Sequence, residues 1–313
     1  MLLAVDCIQR NHLRLDGVIS SDGSSSSSYG GGAGGSIFLL LQAMSGAGLI
    51  TASGGKSDAA GGGGGGRISV FVQDMPLFTG NILAQGGYGG YQSGSAGTVF
   101  VENTSTGLKN LSVFNEVYCE SPPTLLSSNI FFDFVYSGGC AKISILGNVS
   151  VSSFLSDGTS SLEISSNSSL SGSGTLTISN FTIRCLGYLN FSSVEVQNSG
   201  QLYLTETGSS LGSVEGKYSV ETLIIRSNGL LIIEYVDVTA ADRSGRRVYL
   251  DCASITIYKN GCINSDGQGF PESTQSSNAG GSHGAGSFDF SAASGGGYGG
   301  TGGLLALLCL CCT

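Results

Sequence analysis

The chain has 313 residues, of which 40% are hydrophobic and only 11% are charged, with a formal net charge of −9. This charge argues against nucleic-acid binding, because no basic surface is available to neutralise phosphates. The 52 glycines also argue against an ordinary cytosolic enzyme, because so much glycine in a catalytic core would lose too much conformational entropy on folding.

A short unit of strand, glycine turn and strand opens the chain and recurs along it. Its copies are HLRLDGVISSDG at 12–23, SGAGLITASGG at 45–55, FTGNILAQGG at 78–87 and NGCINSDG at 260–267. Glycine tracts between the copies lead into apolar runs at residues 34–41, 66–72 and 96–102. Because the glycines recur in phase with β-forming residues, we predict that they form tight corners between short stacked strands.

Between about residues 110 and 260 a second pattern replaces the glycine tracts, and it can be written apolar-x-apolar-x-x-x-Gly-x-apolar. It begins at Leu162, Phe181, Val194, Leu223 and Ile255, the first copy with serine in the glycine position. Apolar residues two apart face one side of a strand, and such units bury that side only when they stack. The pattern predicts an all-β fold, a right-handed parallel β-helix or β-solenoid, with a β-sandwich as the alternative.

We divide the chain into three regions. Residues 1–109 form a glycine-rich β-solenoid block, residues 110–260 carry β-helix-like strand repeats, and residues 261–313 begin a further glycine-rich module with a truncated or aberrant tail. That tail ends in LLALLCLCC, which is shorter than the roughly 20 apolar residues that span a bilayer. We expect the chain to be a fragment of a longer protein, with any membrane anchor in the missing parts of the parent chain.

The nine cysteines predict disulfides and no metal site. The first six contain no C-x-x-C pair, so a zinc ribbon is not supported. Two pairings, Cys119–Cys140 and Cys252–Cys262, would each close a short loop between strands. The aspartates among the glycines are isolated, unlike those of calcium-binding repeats. We therefore predict no metal and no cofactor.

Six N-x-[ST] sequons mark candidate N-glycosylation sites. They are Asn103, Asn110, Asn148, Asn167, Asn180 and Asn190. Together with the cysteines they favour a secreted or cell-surface location.

A family resemblance rests on five segments that follow one another in a familiar order. They are GGGAGGSI at 30–37, SGAGLITASGG at 45–55, GGGGGGRISVF at 61–71, FTGNILAQGG at 78–87 and AGTVFVE at 96–102. This order resembles glycine-rich repeat proteins of the cell surface or the secreted fraction, with pectin-lyase-like or adhesin-like β-solenoid folds. The resemblance covers roughly residues 15–102 and 255–303, and it implies no catalytic residues.

Three features could carry chemistry. The glycine run at 61–66 lacks the Lys-Ser/Thr ending of a phosphate-binding loop. The two histidines, His12 and His283, are far apart in the sequence, and without a nucleophile elbow a Ser-His-Asp triad is not supported. In the densest charged stretch, residues 234–251, two of the carboxylates and two of the guanidinium groups are the candidates to act on an acidic glycan. These are Asp237, Asp251, Arg246 and Arg247. A solvated polar loop is the favoured interpretation of this stretch.

We predict a structural or adhesive module of a large extracellular protein, without catalysis. Its partners would be cell-surface or matrix glycans and proteins, bound through many weak contacts along an extended surface. The alternative function is a polysaccharide lyase or glycoside hydrolase on a pectin-lyase-like fold, and a third possibility is a non-functional gene fragment.

Overall fold

The structure is a computed structural model of the chain. It describes the backbone of residues 2–6 and the residues 12–116, 119–127, 129–205, 216–234 and 248–265. Within these ranges the chain forms strands and turns and no helix. The strands lie in three sheets, which we call the long, the short and the third sheet.

The strands are numbered in chain order. The long sheet contains β1 (Leu2–Asp6), β2 (His12–Arg14), β4 (Ser36–Gly46), β6 (Arg67–Phe78), β8 (Thr98–Asn103), β9 (Leu108–Phe114), β11 (Ile130–Gly138), β13 (Asn148–Ser156), β15 (Ser169–Ser179), β17 (Tyr188–Gln197), β19 (Gly216–Ile225) and β21 (Val248–Ile257). The short sheet contains β10 (Thr124–Leu126), β12 (Lys142–Ile145), β14 (Ser161–Ile164), β16 (Thr182–Cys185), β18 (Gln201–Thr205), β20 (Leu230–Glu234) and β22 (Cys262–Asn264). The third sheet contains β3 (Val18–Ser20), β5 (Leu49–Thr51) and β7 (Asn81–Leu83).

The first block, residues 12–103, is a stack of coils with a regular length. Ser36, Arg67 and Thr98 occupy one row of the long sheet, so successive coils repeat after 31 residues. Glycine is required in the tracts because the coils touch there backbone to backbone. A Cβ on Gly63 would lie 1.9 Å from the carbonyl oxygen of Gly32, and one on Gly94 would lie 1.9 Å from that of Gly63.

The second block, residues 108–265, has shorter coils in which the long and short sheets alternate. Leu162 pairs with Ile183 and Ile183 with Leu202, so these coils take 21 and 19 residues. In several long strands of this block the spacing of buried residues changes from two to three near the middle. In β17, for example, the buried residues are Leu189, Phe191, Val194 and Val196. Because a straight strand keeps a spacing of two on one face, we infer that these strands change direction there.

The second sequence pattern matches the observed stacking in its last three copies. Val194, Leu223 and Ile255 form one row of the long sheet. Their partners across the corner, Leu202, Leu231 and Ile263, form one row of the short sheet. The first two copies are offset from each other, because the turn after β14 is longer than the turn after β16. The chain is all-β, with long sheets of parallel strands that are consistent with a β-helix or solenoid.

A reversal of chain direction joins the two blocks. β8 and β9 pair antiparallel, whereas all other described pairings are parallel, so the long sheet continues unbroken from one block into the next. In this pair Phe100 lies opposite Leu111 and Val99 opposite Ser112. Val99 belongs to the core of the first block, and Leu111 to that of the second. The two cores therefore lie on opposite faces of one sheet.

The two predicted disulfides have different outcomes in the structure. Cys119 and Cys140 form a disulfide, but the proposed bond between Cys252 and Cys262 is wrong, because both thiols are free. Cys252 lies in β21 of the long sheet, and Cys262 begins β22 of the short sheet. Five extended residues follow Cys252 before the corner, about 16 Å of chain at 3.3 Å per residue. A disulfide requires Cα atoms within about 7 Å, so this geometry excludes the bond.

Candidate functional site

The short sheet carries one row of residues in register. The row runs through Ser144, Glu163, Arg184, Tyr203, Ile232 and Asn264. In β14, β16 and β18 the member of the row stands between two buried apolar residues and faces outward, because side chains alternate across a strand. We call this set the Arg184 row.

Arg184 is held on this face by its neighbours in two later coils. Its guanidinium carbon lies 5.3 Å from the centre of the Tyr203 ring, and its Nη2 atom lies 3.2 Å from Oε1 of Glu234. The Tyr203 hydroxyl donates a hydrogen bond of 3.2 Å to Oε1 of Gln201. The Arg184 side chain is still 47% exposed. A planar guanidinium that is stacked and partly free can bind a carboxylate through two parallel hydrogen bonds.

A second arginine and tyrosine pair lies at the corner that follows the long strands. The Arg226 guanidinium is 5.2 Å from the centre of the Tyr258 ring, and its Nε atom forms an ion pair with Glu195. The hydrogen bond and the charge of Glu195 raise the pKa of Arg226. Both arginines therefore combine a tyrosine from one neighbouring coil with a glutamate from another. Within the described residues the same combination of arginine, tyrosine and glutamate thus occurs twice.

Only part of the predicted charged site can be placed. Asp251 is an exposed residue of β21, in register with Ser219 of β19. Asp237, Arg246 and Arg247 lie outside the residues that the structure describes. Of the two histidines, His12 is exposed in β2, and His283 also lies outside these residues.

The six sequon asparagines occupy strands and corners at the surface. Asn110, Asn148 and Asn190 are exposed in long strands, whereas Asn167 and Asn180 are exposed at corners with φ of 64° and 61°. Asn103 is partly buried, and its Oδ1 accepts hydrogen bonds from the backbone N–H groups of residues 105 and 106. Their glycosylation stays a prediction.

The glycine run at 61–66 uses its N–H groups within the fold. Gly62 donates to the carbonyl of Gln92, Gly63 to that of Gly55, and Gly65 to that of Ser95. These donors are occupied by neighbouring coils, as a structural role of the run requires.

Two further properties concern the described part of the chain alone. It contains no group of three or more His, Cys, Asp and Glu side chains placed to hold a metal ion. It also contains no helix with the length and apolar character needed to cross a membrane.

The arginine and tyrosine pairs are not among the predicted site residues, although the sequence carries a local signal for them. Arg184 and Tyr203 are the middle residues of Ile183-Arg-Cys185 and Leu202-Tyr-Leu204, where the flanking residues are buried. A polar or aromatic residue between two inward positions must point outward. Aligning such triplets from coil to coil would have placed the two residues side by side.

Comparison of the chain with protein-family models, curated proteins and solved structures finds no match. The resemblance to glycine-rich surface proteins therefore stays a prediction.

Proposed function

We propose that this chain is a structural and adhesive module, a β-solenoid rod that binds acidic glycans along its outer face. The observation that carries the proposal is the parallel stacking of the second block. Seven strands follow one another in its short sheet, about 29 Å at 4.8 Å per strand. Stacked coils hold the outward side chains of this block at fixed spacing, so weak contacts to a polymer can add.

The chemistry of the contacts rests on Arg184 and Arg226. Each is stacked on a tyrosine and has hydrogen-bond donors that can bind a sugar carboxylate. The tyrosine rings offer apolar faces beside the charge, against which a sugar ring can pack. A polymer with repeated carboxylates is therefore the partner that we favour over a neutral one.

Several finer features belong to the same proposal. We propose right-handed coils, because parallel strands joined by a crossover are right-handed in about 98% of cases. We also propose that the parent protein is secreted or displayed on a cell surface, where the Cys119–Cys140 disulfide would persist. The pectin-lyase-like and adhesin-like glycine-rich proteins remain the family that we propose for it.

The proposal can be tested by binding of the full chain to immobilised polygalacturonate, with neutral dextran as the comparison polymer. We expect binding to polygalacturonate only, and we expect the double variant Arg184→Gln, Tyr203→Ala to bind about tenfold more weakly, the loss typical of one charged hydrogen bond. Arg67→Gln, an exposed arginine of the first block, is the matched control. Equal binding by parent and double variant would reject the adhesive role of this face.

A polysaccharide lyase or hydrolase is the second candidate, because Glu163 and Glu234 lie near Arg184 on the same face. The same samples are assayed for new reducing ends or unsaturated products. Turnover that disappears in Glu234→Gln while binding persists would favour the enzyme over the adhesive module.

A further inference from the structure

A groove lies at the junction of the two blocks, where the third sheet ends. The long sheet continues from β8 into β9 and β11, but the third sheet stops at β7. The place of the next strand is a cavity of about 220 Å³. It is lined by Ile82, Ala84, Val99, Ser112, Phe114 and Tyr136, among others.

The edge of β7 presents backbone groups to this groove. Asn81 and Leu83 bond to β5, since the Asn81 N–H donates to Gly48 and the Leu83 carbonyl accepts from Ala52. Successive residues of a parallel strand bond to opposite sides, so the N–H and C=O of Ile82 point away from β5. The Ala84 N–H follows on the same side. Its counterparts in earlier coils, the N–H groups of Ser21 and Ala52, donate to the carbonyls of Thr51 and Leu83, whereas no carbonyl of the described residues accepts from the Ala84 N–H.

Other backbone groups at this end of the stack are covered. The side chain of Asn115 bonds to the backbone of Gly86 and Gly94, and the Thr124 hydroxyl donates to the carbonyl oxygen of Ala96. At the glycine tract, the second block thus supplies the hydrogen-bond partners that a further coil would supply. It does not supply them at the outer edge of β7. An open strand edge beside a cavity is a template for strand addition.

We propose that the groove binds an extended peptide segment, which adds to β7 as a fourth strand of the third sheet. The register of the third sheet determines which side chain of the peptide enters the groove. Ile19, Ile50 and Ile82 form one inward row, so the added strand places an apolar residue over Ile82, between Val99 and the rings of Phe114 and Tyr136. An apolar cavity of about 150 Å³ already holds a benzene ring, so this cavity has room for that side chain.

The test uses a fluorescent peptide with the sequence of residues 79–87, TGNILAQGG, added to the full chain. In the added strand the peptide leucine N–H donates to the Ile82 carbonyl, whereas the peptide isoleucine N–H points away from β7. We expect N-methylation of the leucine to weaken binding about tenfold, as loss of one backbone hydrogen bond does. N-methylation of the isoleucine, the matched control, leaves binding unchanged.

Two further measurements complete the design. Hydrogen exchange of the Ala84 amide slows when the peptide is bound, because that amide gains an acceptor. Tyr136→Ala weakens peptide binding, whereas Tyr188→Ala, which alters an exposed tyrosine of the same sheet outside the groove, does not. Equal affinity of the two methylated peptides would overturn the proposal. So would an Ala84 amide unaffected by the peptide, or a groove already filled by a second copy of the chain in solution.

Discussion

Asn115 completes the glycine stack of the first block by hydrogen bonding to Gly86. Its Oδ1 accepts from the Gly86 N–H at 2.7 Å, and its Nδ2 donates to the Gly94 carbonyl at 3.2 Å. In the preceding coil the N–H of Gly54 donates to the backbone carbonyl of Gln85. One fully buried side chain thus provides the acceptor and the donor that the backbone of a further coil would provide.

Replacing Asn115 by alanine leaves the Gly86 N–H and the Gly94 carbonyl without partners in a buried place. We expect Asn115→Ala to lower the free energy of unfolding by about 2–4 kcal/mol, because each unsatisfied buried group costs about 1–3 kcal/mol. Denaturant unfolding followed by circular dichroism measures the change. Asn81→Ala, at an exposed asparagine, is the control and should change stability by less than about 0.5 kcal/mol. Equal effects of the two substitutions would contradict the role of Asn115.

A methyl group on Gly63 has no room in the stack. Its Cβ would lie 1.9 Å from the Gly32 carbonyl oxygen, whereas a Cβ on Gly174 would meet nothing within 4 Å. We expect Gly63→Ala to cost at least about 3 kcal/mol or to prevent folding, and Gly174→Ala to stay within about 0.5 kcal/mol of the parent. Thermal unfolding of the two variants measures these changes in stability. A Gly63→Ala protein as stable as the parent would mean that the coils are not in backbone contact.

Phe100 couples the two blocks, because it lies in a strand of the first and packs against the core of the second. Its ring contacts Phe71 at 5.7 Å and Phe132 at 6.2 Å between centroids. We expect Phe100→Ala to cost about 2–3 kcal/mol, somewhat less than loss of a fully buried phenylalanine, and to separate unfolding into two steps. Phe38→Ala, at the exposed end of the same row, should cost less and keep one transition. Two steps in Phe38→Ala alone would contradict this assignment.

The free cysteines differ in reactivity. Burial raises the pKa of the Cys185 thiol to about 12, whereas Cys262 is exposed. At pH 8 maleimide should label Cys262 rapidly and Cys185 only after unfolding, which mass spectrometry of the digested protein measures. Between about pH 9 and 12 the unfolded chain ionises at Cys185 and the folded chain does not. The stabilising contribution of the buried, neutral Cys185 thiol is therefore present below pH 9 and is lost as the pH rises. Rapid native labelling of Cys185 would be inconsistent with this burial.

The sequence predicts the parts of the fold that local alternation determines. The pattern aligns Val194, Leu223 and Ile255, because each coil repeats its inward residues around a glycine corner. Their stacking requires only that equivalent residues of successive coils lie beside one another. The glycine tracts were placed correctly between strands, but their physical role differs from the expectation. Among the described glycines of the first block only Gly46 has a positive φ, so turn formation does not require the others. Close approach of coils requires glycine at positions such as Gly54, Gly63 and Gly94, where a Cβ would lie 1.9 Å from a backbone carbonyl oxygen.

The reversal at β8 and β9 could not be predicted in the same way. Val99 and Phe100 are adjacent apolar residues that belong to the cores of different blocks. A sequence pattern shows that both are apolar but not which face of the sheet each core occupies. The same limit applies to Cys252 and Cys262, whose closeness in sequence conceals their places in different sheets, and to the groove, which exists only because the two blocks meet.

Hydrogen exchange at the junction tests the continuous sheet most directly. The backbone amides of β8 and β9 should exchange about a hundredfold or more slowly than those of β22, the last strand of the short sheet, because interior strands open only with the core around them. Slow exchange in both strands is the result that one sheet through both blocks predicts. Exchange in β8 and β9 as fast as in β22 would mean two separate solenoids joined by a flexible link, and it would contradict the single rod that we propose.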